Sequence, residues 1–173
     1  MNCTDQLVPV SDTDYLRAQR FLHHEAALLD AHDYRAWWLL LAEDMVYRVW
    51  TQVVRPGNEQ NDTLTIVDEG IDRLQLRVDQ LADPKLTHAE NPRTLTRRYL
   101  SNFQMFEDNQ GSSIIVSCNL LVFLNRCPGV ANGFLAGVRH DVLQLQDHEL
   151  RLARRDVKLD QTILTAGTLS ILL

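Results

Sequence analysis

The sequence predicts an α+β fold: helices first, then a long antiparallel meander curled around them. Two patterns carry this reading. Apolar residues recur at spacings of three and four only in the first half. The second half alternates with a period of two over stretches of 11 to 15 residues, well beyond the roughly five or six of a common strand. Strands that long curl, and a curled sheet takes helices into its concave side, giving a cone-shaped domain. With 173 residues, 45% of them hydrophobic, the chain is sized for one such domain.

Residues 1–10 read as a flexible N-terminal arm, and residues 11–173 as a single domain. Ser11-Asp-Thr-Asp14 supplies N-cap candidates with a carboxylate three positions on. Tyr15, Ala18, Leu22, Ala26 and Leu29 then form one apolar stripe of a helix running to about Ala31. Asp33 can cap a second helix that holds Tyr34, Trp37, Trp38 and Leu41 and ends near Glu43-Asp44. From Met45 the period shortens: Met45, Tyr47 and Val49 alternate with Val46, Arg48 and Trp50, as in a strand. A polar loop over 55–62 and a short strand over 64–67 lead to a third helix over 69–81, with Ile71, Leu74, Val78 and Leu81 on its apolar side.

After a polar connector, four strands are expected over 95–106, 113–125, 133–145 and 150–164. Between Leu152 and Val157 the apolar phase slips by one, which predicts a bulge or sharp bend. Residues 168–173 read as a last apolar strand.

Composition excludes several classes. A formal net charge of -6 without a clustered basic stripe argues against nucleic acid. No stretch reaches the roughly 18 apolar residues of a membrane helix, and no cationic start followed by an apolar run suggests a secretory signal. Three cysteines, Cys3, Cys118 and Cys127, do not suit a disulfide framework. The expectation is a cytoplasmic protein.

Catalytic signatures are sparse. His23 and His24 are adjacent on a helix, so they point about 100° apart and do not share an ion as an i, i+4 pair does. His32-Asp33, at a helix junction, suits capping. Cys118 is in phase with Ile114, Val116, Leu120 and Val122, as a core residue would be. His140 falls in the same phase as Phe134, Ala136 and Val138, the side expected to be buried. A histidine inside a cone pocket is the one candidate general acid or base, although a hydrogen-bonded core histidine fits as well.

Several runs of residues resemble one family. His24-Glu-Ala-Ala-Leu-Leu-Asp-Ala-His-Asp-Tyr-Arg-Ala-Trp37, followed by Leu41-Ala-Glu-Asp-Met-Val-Tyr47, is similar to the opening of aromatic-ring-hydroxylating dioxygenase β (small) subunits. Asn91-Pro-Arg-Thr-Leu-Thr-Arg-Arg-Tyr-Leu-Ser-Asn102, Arg154-Arg-Asp-Val-Lys-Leu-Asp-Gln161 and the ending Gly167-Thr-Leu-Ser-Ile-Leu-Leu173 continue the resemblance in order. It implies a cystatin-like, nuclear-transport-factor-2-like cone. It further implies a structural role with no active site in this chain, in a hexamer of three α and three β subunits. The α subunit would hold a Rieske iron–sulfur cluster and a mononuclear iron and dihydroxylate an aromatic compound, with electrons from NAD(P)H arriving through separate ferredoxin and reductase proteins.

The motifs missing here agree with that division: there is no Cys-x-His with Cys-x-x-His pairing for a Rieske centre, and no convincing 2-His-1-carboxylate spacing. A structural subunit should expose surface that only partners bury. Leu169, Ile171, Leu172 and Leu173 are the expected contacts, with outward-facing Arg97, Arg151 and Arg155; a core or edge role for the tail is the alternative. Two rival readings use the same cone: a freestanding dehydratase or isomerase working through His140 or a carboxylate, and a ligand-binding or oligomeric domain without a Rieske partner. A deep apolar pocket with a perturbed acid or base would favour the enzyme. A filled interior and an apolar outer face would favour the scaffold.

Overall fold

In the computed structural model, described for residues 8–53, 62–83, 90, 93–108, 111–126, 132–161 and 170–173, the first helix begins where the sequence places its cap. Ser11 Oγ accepts the Asp14 amide at 3.1 Å and opens α1 (Asp12–Asp30). The helix stops without a glycine. His32 adopts the left-handed conformation, φ 58°, and the amides of His32 and Asp33 return to the carbonyls of Leu29 and Leu28, which is a Schellman closure. Asp33 then caps α2 (Tyr34–Trp38) by accepting the Ala36 amide at 3.0 Å. His32 and Asp33 are thus capping residues, as expected.

The second helix is shorter than its apolar spacing predicts. Leu41 to Asp44 belong instead to β2 (Leu41–Val53), which pairs with the last strand at Leu41, opposite Leu152, and again from Val46, with an irregularity between. Tertiary pairing overrides local periodicity here. β3 (Asp62–Gly70) returns antiparallel to β2 and is longer than the predicted 64–67. It leads into α3 (Ile71–Ala82), whose Leu74, Val78 and Leu81 are buried.

The meander follows: β4 (Leu95–Glu107), β5 (Ser113–Asn125), β6 (Gly133–Gln146) and β7 (Glu149–Leu159). Of the expected arm, residues 1–7 lie outside the described residues, and Val8–Pro9 form β1, a short strand against Glu107 and Phe106 of β4. Among the described residues the seven strands form one sheet, β1-β4-β5-β6-β7-β2-β3, antiparallel except for β2 against β7. The slip predicted before Val157 is real: Leu143 pairs with Leu152 but Val142 with Arg154, leaving Ala153 as the extra residue. A second bulge in β4 skips Asn102 and Phe103. Asn102 takes φ 54° there, and Phe103 meets the His23 ring of α1 at 5.8 Å.

The core lies between the helices and the inner face of the sheet, joining Leu22, Leu29 and Trp37 to Tyr47, Val116, Leu152 and Val157. Two expectations fail. In β6 the inward set is Leu135, Gly137, Arg139 and Asp141, so Phe134, Ala136, Val138 and His140 face outward. The apolar count misled because two charged residues sit inside: Arg139 pairs with Asp141 and with Glu25 of α1, and Asp141 pairs with Arg139 and with Arg155. The predicted final strand is also absent where it can be seen: residues 170–173 join no ladder, and Ile171, Leu172 and Leu173 pack into the core. Leu169 lies outside the described residues.

Candidate functional site

The centre of the cone is charged. Glu25, on the buried stripe of α1, is fully enclosed, as are Arg139 and Asp141 of β6 and Arg155 of β7. Arg155 grips Asp141 with two parallel bonds, Nε to Oδ1 at 2.9 Å and Nη2 to Oδ2 at 3.0 Å, and donates from Nη1 to Glu25 Oε1 at 2.7 Å. The Trp37 indole donates to the same Glu25 oxygen at 2.7 Å. Arg139 completes the set, 3.4 Å from Glu25 Oε2 and 3.0 Å from Asp141 Oδ2. Two cations thus meet two anions.

These contacts set the protonation states. Burial alone would push the Glu25 carboxyl up, but Arg155 and Arg139 beside it, with the bonds from Arg155 and Trp37, bring it down to about 2. Burial opposes the charge of Arg155, yet Asp141 and Glu25 hold its guanidinium more firmly protonated than an ordinary arginine. A carboxylate held at about 2 is a poor proton acceptor near neutrality, since acid–base efficiency falls as the pKa leaves the working pH. Asp141 has both oxygens engaged by arginine.

A second layer of polar contacts carries residues 170–173 onto this network. Arg155 Nη1 also donates to the Leu173 carbonyl at 2.9 Å, and the Leu173 amide donates to the Tyr47 hydroxyl at 3.0 Å. Arg98, buried by its neighbours and paired with Asp30, donates to the Leu172 carbonyl. Ser170 donates to Glu90, which also accepts the Thr94 amide at 2.9 Å. The concavity of the sheet is therefore occupied by four ionised side chains and the apolar side chains of Ile171, Leu172 and Leu173.

A family model described as the ring hydroxylating beta subunit matches residues 24–166. The chain belongs to the ring-hydroxylating β subunit family. Among solved structures, a chain of naphthalene 1,2-dioxygenase with indole in its active site matches with a TM-score of 0.83 at 22% identity, covering 100% of this chain and 95% of that one. The β subunit of benzoate 1,2-dioxygenase from Burkholderia mallei ATCC 23344 gives 0.65 at 19% identity, over 91% and 97%. A scytalone-dehydratase-like protein from Novosphingobium aromaticivorans DSM 12444 gives 0.61 at 14% identity, over 93% and 96%. The nuclear-transport-factor-2-like cone expected from the sequence is the observed fold.

In this β subunit the residues singled out from sequence are dispersed. His140 is exposed on the outer face and lines a shallow groove of about 700 Å³ with Arg48, Trp50, Asp68, Arg154 and Asp156; it does not enter the cone, so the pocket-histidine reading is overturned. Arg155, expected to face outward, is fully buried. Ile171, Leu172 and Leu173 are covered by this chain itself. Arg97 is exposed and Arg151 half-exposed, the latter donating to the Leu39 carbonyl. His23 and His24 remain separate helix-surface residues.

Among the described residues, no three His, Cys, Asp or Glu side chains gather as a metal centre requires. The interior donors do not fit the iron centres that the sequence resemblance assigns to an α subunit: Glu25 and Asp141 are already held by guanidinium groups, and among the described residues no histidine is bonded to them. The interior network was missed in the sequence, although Arg155 shares its phase with Val157 and Leu159, and Arg139 shares its phase with Asp141.

Proposed function

We propose that this chain is the non-catalytic structural β subunit of the terminal oxygenase component of a Rieske non-haem iron aromatic-ring-hydroxylating dioxygenase. It supports dihydroxylation of an aromatic compound by a partner α subunit, in a cytoplasmic assembly of three α and three β chains fed by ferredoxin and reductase. One observation carries the non-catalytic part: the concavity in which a cone-fold enzyme would hold a substrate is filled by a neutralised Glu25–Arg155–Asp141–Arg139 network and by Ile171 to Leu173. A held pair of arginines and carboxylates fixes the helices to the sheet; it does not offer a proton poised near neutrality. Arg97 and Arg151, both on the outside, remain proposed contact residues.

The test is purification of the tagged full chain from its native cells, with mass and iron–sulfide analysis of what accompanies it. Recovery of a larger iron- and sulfide-containing chain in equal amount is the expected result. Recovery of the chain alone and iron-free, from cells grown on aromatic compounds, would overturn the subunit reading.

A further inference from the structure

We infer that the interior of the cone is a peptide-binding pocket whose ligand is the chain's own residues 170–173. They are held there as a bound peptide, and the same four residues added in trans can replace them. This pocket does not depend on the proposed subunit role. Irregular backbone normally stays at the surface, because inside a protein its amides and carbonyls would go unpaired. Residues 170–173 join neither helix nor ladder, yet Ile171, Leu172 and Leu173 are 5%, 0% and 0% exposed. Side chains replace the ladder. The Leu172 carbonyl accepts from Arg98, and the Leu173 carbonyl accepts from Arg155 at 2.9 Å. Between them, the Leu173 amide donates to the Tyr47 hydroxyl at 3.0 Å. Ser170 adds a bond to Glu90.

The three groups that hold this main chain are positioned by contacts of their own. Arg155, on β7, is fixed by Asp141 and Glu25. Arg98, on β4, is held by Asp30 at 2.5 Å and by the Thr96 hydroxyl at 2.9 Å. Tyr47 is enclosed in β2, and burial pushes its hydroxyl above the ordinary range, so it stays protonated near neutrality. None of these supports runs through residues 170–173, so the pocket is preorganised without them. Peptide sites divide recognition in the same way: hydrogen bonds hold the main chain, and pockets select the side chains. Arg98, Arg155 and Tyr47 all address main-chain atoms, which any peptide offers; the buried apolar surroundings of residues 171–173 supply the selection. Arg98 also keeps a buried Nε with no acceptor among the described residues, a donor that residues 170–173 leave unused. The ligand class is therefore a short apolar peptide that presents two successive carbonyls and the amide between them.

The experiment uses the full chain carrying Ile171→Gly, Leu172→Gly and Leu173→Gly together, which removes the apolar side chains and leaves every receptor residue in place. The peptide acetyl-Ser-Ile-Leu-Leu is added in trans, as free acid and as amide, with calorimetry for binding and thermal unfolding for stability. Binding of either form supports the inference; binding of neither overturns it. At a hundredfold excess over its Kd, the peptide should raise the melting temperature of the triple variant by roughly 5–10 °C. The wild type, whose pocket is filled, should not respond. Tyr47→Phe added to the triple variant should weaken the peptide about tenfold, because one buried amide loses its acceptor. A peptide that binds the wild type equally well, or is indifferent to Tyr47→Phe, sits elsewhere and overturns the inference. If the triple variant does not fold alone, the peptide should restore its circular dichroism, and failure to do so has the same adverse meaning. Hydrogen exchange on the unaltered chain gives an independent reading, since a bound segment opens before the sheet does. The Leu173 amide should exchange at least about tenfold faster than that of Val116 in β5. Equal protection of the two would make residues 170–173 part of the sheet's cooperative unit, and the pocket would then have no separable ligand.

Discussion

Arg155 and Asp141 form a two-pronged ion pair between neighbouring strands at the centre of the cone, 2.9 and 3.0 Å long and shut off from solvent. Arg155 spends its remaining nitrogen on Glu25 of the first helix and on the Leu173 carbonyl. One guanidinium thus ties together the sheet, α1 and residues 170–173. A planar fork can do this where a lysine ammonium cannot.

Arg155→Leu should therefore lower stability by about 3–5 kcal/mol, the usual cost of leaving buried charge without its partner. Arg155→Leu combined with Asp141→Leu should recover part of that loss, because the stranded carboxylate is gone. Urea unfolding of the two single variants and the double variant, read as a cycle, measures the coupling. Purely additive losses would mean that the pair contributes packing only.

Acid should weaken the fold through Glu25. Its carboxyl lies at about 2 in the folded chain against 4.5 ordinarily, so the unfolded state takes up the proton first. The contribution, about 3 kcal/mol, is complete above about 4.5 and is lost as pH falls toward about 2. In urea titrations from pH 6 to pH 2.5, the wild type should lose its advantage over Glu25→Gln through this window. A gap that stays constant with pH would show that Glu25 is not the group responsible.

The order of elements was legible because long apolar periodicities survive any packing: the stripe from Ala18 to Leu29 is buried in α1, and the alternation from Ile114 to Val122 is the buried face of β5. The bulge before Val157 was legible for the same reason, as a break in phase. Errors came where charge replaces apolar residues inside. Strand β6 offered Phe134, Ala136 and Val138 on one side and Arg139 and Asp141 on the other, and only the position of Glu25, far away in sequence, decides which side is buried. Likewise, nothing local in Ile171 to Leu173 distinguishes a strand from a plug; the difference lies in hydrogen bonds to Tyr47, Arg98 and Arg155.

Gly137 is a position where a side chain has no room. A Cβ added there would overlap the Lys158 carbonyl oxygen and lie 3.1 Å from the Leu159 Cα, both backbone atoms of the neighbouring strand. Gly137→Ala should destabilise by at least about 1–3 kcal/mol, as overpacking does when rigid atoms must shift. Gly70→Ala, where the added carbon meets nothing within 4 Å, should cost less than about 1 kcal/mol even at its helix-capping position. Thermal unfolding of the two variants side by side makes the comparison.

Leu172 offers the sharpest test of whether the cone is filled or merely narrowed. Its side chain is fully buried, and its carbonyl is held by Arg98, so the backbone around it should stay in place when the side chain is cut back. Leu172→Ala should then cost about 2–5 kcal/mol, the range in which cavities left by a lost leucine fall. Because the surroundings are pinned by hydrogen bonds, the space should persist instead of collapsing. An apolar cavity of that kind stays dry and accepts a small apolar guest. Benzene or indole should accordingly raise the melting temperature of Leu172→Ala and leave that of the wild type unchanged. Equal stabilisation of both proteins would mean that the wild-type cone already has a ligand site, and the case for an enzyme within this chain would reopen.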